Sequence, residues 1–135
     1  MIYFDSDVLI NYLVVQDEAK HELATNLYKQ AAQNQSFFIS MLSLQEVSFV
    51  LSKLKLSSEI ITQKLDVFLQ TDPVGYDLSS FKRACYLAEM IGYQNINDCL
   101  HTAIAEVYCD ELYTFNQSDF KLLQKVTRLN ITLLK

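Results

Sequence analysis

Four places along the chain set an acidic residue beside a change in local pattern. Asp5 follows the apolar run Ile2-Tyr3-Phe4, and Glu46 lies early in the helical stretch that follows Phe37–Ile39. Asp98 opens a helix beginning near Asn97, while Asn116 and Asp119 follow the run ending at Phe115. Each has an ordinary structural explanation. Asp5 or Asp7 can cap a helix over Val8–Val15, and Ser43-x-x-Glu46 has capping-box spacing. Asp98 and Asp119 suit helix N-termini, where the macrodipole favours negative charge. Their coincidence at element junctions is what suggests chemistry, because open parallel sheets bind ligands at the carboxyl ends of their strands. Glu46 falls about 90° from the centre of its helix's apolar stripe, and Thr102 sits one turn after Asp98 on the same face. Carboxylates gathered in one pocket raise one another's pKa values. A divalent cation removes that repulsion, and an all-oxygen donor set favours Mg²⁺ or Mn²⁺. Such a site suits hydrolysis of phosphodiesters.

The elements that would hold these residues are short. Ile2–Phe4, Phe37–Ile39, Leu112–Phe115 and Ile131–Leu134 are continuous apolar runs, the pattern of parallel strands buried on both faces. Helical spacing links them. Val47, Val50, Leu51 and Leu54 form one stripe, and Leu100, Ala103, Ile104 and Val107 another. Val8–Val15, Glu18–Ala32, Ser57–Gln70, Leu78–Ile91 and Ser118–Val126 also have helical spacing, and Thr71–Tyr76 holds the only Pro and a short extra strand. Alternating strands and helices predict an α/β fold, a three-layer α/β/α sandwich with a mostly parallel sheet.

Composition narrows the functional classes. The 135 residues make one domain, 1–135, and the 50% hydrophobic content, with eight Tyr and eight Phe, allows a sizeable core. Two Gly and one Pro argue against a Gly-rich phosphate loop or a linker. Cys85, Cys99 and Cys109 form no CxxC pair, and with only His21 and His101 beside them a thiolate zinc site is not expected. His101, one turn after Asp98 with no second His or Cys nearby, is expected to be a packed or exposed helix residue rather than a substrate contact. No apolar run approaches the roughly 20 residues of a membrane span, and the N-terminus lacks a basic leader, so a cytoplasmic location is expected. Sixteen Asp/Glu against eleven Lys/Arg give a net charge of −5, so any polyanionic partner requires a local basic patch or metal ions.

At the acidic residues the sequence resembles PIN-domain ribonucleases, in particular the VapC-like toxin of a type II toxin–antitoxin system. Ile2-Tyr3-Phe4-Asp5-Ser6-Asp7-Val8-Leu9-Ile10 resembles the opening strand, first Asp and helix start. Ile39-Ser40 through Leu44-Gln45-Glu46-Val47 resembles the second strand and the helix carrying the Glu. Asn97-Asp98-Cys99-Leu100-His101-Thr102-Ala103, running on to Thr114-Phe115-Asn116-Gln117-Ser118-Asp119-Phe120, resembles the third block. The blocks match in order and spacing over essentially the whole chain. The resemblance implies a five-stranded sheet in the order 3-2-1-4-5, with Thr71–Tyr76 as its third strand. It implies Asp5, Glu46 and Asp98 as metal ligands, with either Asp119 or Asn116 at a fourth position that is Asp in many relatives. Ser6 and Thr114 would support the pocket, and Asp7 departs from the small or amide residue often found at its position.

The same resemblance implies an RNA substrate and a homodimer. It also implies a small antitoxin whose Arg-bearing tail enters the acidic pocket and whose amphipathic segment lies in a groove beside Leu27, Tyr28 and Phe49. Lys53, Lys55, Lys82 and Arg83 are candidate RNA contacts. Two other readings compete. Asp5-Ser6-Asp7 also resembles the nucleophile motif of haloacid-dehalogenase-type phosphatases, although no Gly-Asp pair follows and Gly75 and Gly92 lie elsewhere. The remaining reading is a PIN-like binding module whose carboxylates only cap helices.

Overall fold

A computed structural model describes residues 1–135. The order is β1 (Ile2–Phe4), α1 (Ser6–Leu13), α2 (Glu18–Gln33), β2 (Phe37–Phe38), α3 (Met41–Lys53), α4 (Ser58–Leu69), α5 (Leu78–Ile91), a 3₁₀ turn (Tyr93–Asn95), α6 (Ile96–Tyr108), β3 (Glu111–Thr114), α7 (Gln117–Gln124) and β4 (Asn130–Leu133). All strand pairs are parallel, in the order β2-β1-β3-β4. Tyr3 pairs with Phe38 on one side and Leu112 on the other, so β1 is central.

Alternation along β1 divides the interior into two layers. Tyr3 joins Leu87, Leu100, Ile104, Leu112 and Phe120 under α5, α6 and α7. Phe4 joins Val8, Leu9, Ile39, Val47, Leu51 and Phe68 under α1 to α4. The three-layer sandwich is therefore present, but the sheet has four strands where five were expected. Thr71–Tyr76 contributes only a bridge between Ser40 and Val74, with Val74 N–H donating to Ile39 and Met41 N–H to Val74. The backbone explains why it goes no further. Asp72 sits at a φ of 54°, Pro73 has no N–H to donate, and Asp77 already caps α5.

Local capping shifts two helix starts. Asp5 is the N-cap of α1, so the helix begins at Ser6 rather than Val8. The hydroxyl of Ser40 accepts from Ser43 N–H and caps α3. Ser43–Glu46 is therefore not a capping box, and Glu46 lies in the second turn with its carboxylate free for other partners. Val107 leaves its predicted apolar stripe and is 63% exposed. Tyr28 does not line an open groove: it stacks on Tyr12 with ring centroids 4.3 Å apart and meets Phe37 and Phe68 edge-on, and Leu27 packs against the same layer. Arg83 is also committed, its guanidinium forking onto Glu106 at 2.9 and 3.0 Å while Thr127 donates to the same carboxylate.

Leu112, fully buried where β3 meets α6, tests the layered core. Leu112→Ala should lower unfolding free energy by about 2–5 kcal/mol in denaturant titrations. Val107→Ala should stay within about 0.5 kcal/mol of the parent.

Candidate functional site

The carboxyl ends of β1 and β3 open into a cavity of about 640 Å³. Asp5, Asp7, Glu46, Asp98 and Asn116 line it together with Ser6, and the amides of Gln45, Gln94, Asn95 and Asn97 cover much of the remaining wall. Phe49 and Val50 are its only apolar members. Asp119 stands behind the wall, reached through Asn116.

Each carboxylate is placed by its local chain. Asp5, 4% exposed, ends β1; its Oδ1 accepts from Ser6 N–H at 2.8 Å, and its Oδ2 accepts from the Thr114 hydroxyl at 2.7 Å. Thr114 ends β3, so this bond ties the two central strands together at the site. Asp7, two residues on, accepts from Phe115 N–H at 3.1 Å and faces Thr114 at 3.4 Å. Its position is an added pocket acid rather than a helix cap. Asp98 lies in the first turn of α6, and Asn116 Nδ2 donates to Asp119 at 3.0 Å and to Asp98 at 3.5 Å. A neutral amide here draws together two carboxylates that a third would have repelled.

Glu46 reaches across from α3. Its Oε1 accepts from Nε2 of His101 at 2.6 Å, and Asp5 Oδ1 is 3.9 Å from the same nitrogen. Asp5, Glu46 and His101 form a compact group with ligand atoms all within 4.8 Å of one another. The sequence leads one to expect a packed or exposed helix residue at His101. It is fully buried, yet its ring is a polar bridge whose other nitrogen meets the Tyr3 hydroxyl at 2.6 Å. The available signal was its position three residues after Asp98, which puts both on one face of α6. Only the fold brings Tyr3 to the ring.

Electrostatics divide the acids. Burial pushes Asp98 up to about 7, with Asp5, Asp119 and Glu46 adding to the rise against His101. Asp7 is pushed up to about 8, first by burial and then by Asp5. Asp5 is raised by burial despite His101, Thr114 and Ser6. Glu46 goes the other way: burial opposes its ionisation, but the bond and charge of His101, helped by Ser6, hold it below the usual range. For His101, burial alone would lower the pKa, but Tyr3, Glu46 and Asp5 raise it well above 6.5. The donor set is hard oxygen, crowded and reluctant to ionise. It is compatible with a divalent cation, which Asp5, Glu46 and Asp98 on the cavity wall would hold.

Of the predicted basic contacts, Lys53 stands nearest the cavity wall, its ammonium 4.8 Å over the Phe49 ring, which is 57% exposed. Arg83 belongs to a different cavity, with Glu106 and Arg128. Lys55 and Lys82 are exposed, and neither lines the acidic cavity.

The raised acids make stability depend on pH. Asp5, Asp7 and Asp98 bind protons more tightly folded than unfolded, so their contribution is full below the ordinary carboxylate range, and for Asp98 and Asp7 it is lost as pH rises through about 7 and about 8. His101, also raised, acts in the same direction, whereas lowered Glu46 and Glu106 matter only in the acid range. The melting midpoint of the metal-free protein should fall between pH 5.5 and 8.5. In Asp98→Asn the fall should be shallower, and saturating Mn²⁺ should remove most of it. A midpoint that rises over this range would contradict the crowding.

No curated protein matches the chain. Among solved structures, the crystal structure of VapBC2 from Rickettsia felis bound to a DNA fragment from their promoter contains a similar chain. That chain has a TM-score of 0.73 and 21% identity, with 100% of both chains covered, which is a likeness of fold. The sequence itself matches the PIN domain over residues 2–126. With that match running from β1 through α7, and with the acidic cavity at the sheet's carboxyl edge, the chain belongs to the PIN domain family.

Proposed function

We propose that this PIN domain is a metal-dependent endoribonuclease, the toxin of a toxin–antitoxin pair acting in the cytoplasm. The observation that carries the reading is the convergence of Asp5, Glu46 and Asp98 on one polar cavity at the end of the central strands. A Mg²⁺ or Mn²⁺ ion held there supplies Lewis-acid polarisation of a phosphodiester and offsets its negative charge. The chain's own groups supply the rest. Thr114 and Ser6 fix the Asp5 carboxylate, and Asn116 orients Asp98 while keeping Asp119 beside it. Gln45, Gln94 and Asn97 present amides to sugar hydroxyls and base edges. Phe49, with Lys53 beside it, offers an unpaired base a stacking face at the cavity wall. Single-stranded loops are the favoured substrate, because a base must leave its helix to reach such a face.

The similar solved chain comes from a VapBC2 complex, which supports an antitoxin as partner here. Its tail would place an Arg among the carboxylates, where a guanidinium makes bidentate bonds. A second cavity, lined by Tyr12, Leu13, His21, Lys29 and Lys64, would receive the tail's amphipathic segment. A homodimer is the expected free form. None of its helices is long and apolar enough to cross a membrane.

Asp98→Asn should fold and lose RNA cleavage by at least about 100-fold, since an amide cannot replace a charged ligand. Loop-containing RNA incubated with either protein, with and without EDTA, checks this on a gel. Equal cleavage by both proteins, or cleavage surviving excess EDTA, would overturn the mechanism. Arg→Ala scanning of the tail of a co-purifying small protein tests the partner, because inhibition should fail when the pocket-entering Arg is lost.

A further inference from the structure

We propose that His101, braced by Tyr3, is the positioning residue that holds Glu46 ready for the cation; this inference rests on reading Glu46 as part of a cation site. A Glu on a helix has three rotatable side-chain bonds, and the Glu46 side chain is 27% exposed, so its sequence position alone does not fix where it points. The fixing comes from another element. Nε2 of His101 on α6 meets Glu46 on α3 at 2.6 Å, and Nδ1 meets the Tyr3 hydroxyl on β1 at 2.6 Å. The Tyr3 hydroxyl is 2.7 Å from the Ser40 hydroxyl, and Ser40 is the N-cap of α3, the helix that carries Glu46.

The bonds therefore close a circuit. It leaves α3 at Glu46, crosses α6 and β1, and returns to α3 at its cap. Ser43, one turn into α3, closes a smaller ring with Ser40 and Tyr3. His101, Tyr3, Ser40 and Ser43 are all buried, so water does not compete for these bonds. Moving the Glu46 carboxylate would break the bond to His101 and strand a buried ring nitrogen, which is costly. The rotamer entropy of Glu46 is thus lost on folding rather than on cation binding, which is how a prearranged ligand gains affinity. The nitrogen facing Glu46 is occupied by that bond, so His101 acts through Glu46 rather than on the cation.

The test is Mn²⁺ binding by calorimetry for the wild type, Tyr3→Phe, His101→Leu and His101→Gln. Tyr3→Phe keeps the ring that packs 5.6 Å from Phe38 and removes only the hydroxyl, so it should fold. His101→Leu should weaken Mn²⁺ binding about 10-fold or more, in the range typical for groups that orient metal ligands. Tyr3→Phe should weaken it by a smaller factor. His101→Gln, which returns an N–H donor, should recover part of the loss. In RNA cleavage kcat should fall with KM unchanged. Wild-type Kd values in both Tyr3→Phe and His101→Leu would overturn the proposal. So would imidazole nitrogen coupling in the pulsed electron-spin spectrum of the Mn²⁺-loaded wild type, which would make His101 a ligand. A wild type that binds no Mn²⁺ would overturn the cation reading itself, and this proposal with it.

Discussion

Like charge held at close quarters is the constraint around which the upper edge of this sheet is built. Asp5 and Asp7 stand where β1 passes into α1 and Asp98 in the first turn of α6, all on one cavity, and burial with mutual repulsion lifts Asp98 to about 7 and Asp7 to about 8. A fold does not collect such groups for its own stability, because each raises the cost of ionising the next. The arrangement is tolerated because backbone and hydroxyl donors hold the oxygens. Phe115 N–H serves Asp7, and Ser6 N–H and Thr114 serve Asp5. A cation entering the cavity would turn the same repulsion into binding free energy.

Glu46 stands apart from that crowd. His101 keeps it ionised while its neighbours resist ionisation, so one carboxylate is negative before any cation arrives. The division depends on which layer each group comes from. Asp5 and Asp98 share the strand ends and the start of α6, whereas Glu46 comes across from α3 and meets a buried ring. The histidine faces the site from the same layer as Tyr3, whose own direction is set by the alternation along β1. Packing and electrostatics thus have a common origin in the two faces of the central strand.

Much of this was legible in the sequence, for physical reasons that can be named. Continuous apolar runs gave the central strands because both faces of the sheet are covered, and the junction acids were visible because, although each alone suits a helix start, they recur at element ends that a parallel sheet brings to one edge. The fifth strand, which the resemblance implied at Thr71–Tyr76, was not legible as absent, since the residue types there do not disclose the backbone turn at Asp72 that ends its pairing. The capping-box reading of Ser43 and Glu46 failed because Ser40 caps the helix one turn earlier, and serine at either position is a favoured N-cap. Tyr28 was mistaken for a surface aromatic because its partners, Tyr12, Phe37 and Phe68, come from three separate elements. His101 was missed for the same reason: its bonds to Tyr3 and Glu46 span 98 and 55 residues. Local spacing records what a residue offers its own helix, and these contacts lie between elements.

The central claim is that the crowded acids hold protons that a divalent cation displaces. Mn²⁺ calorimetry at pH 7 in buffers of different ionisation enthalpy measures that displacement directly, because the observed heat varies with the buffer in proportion to protons released. The account predicts net proton release on binding, reduced in Asp98→Asn. Mn²⁺ binding with no buffer dependence would contradict it, since the carboxylates would then already be ionised in the empty cavity.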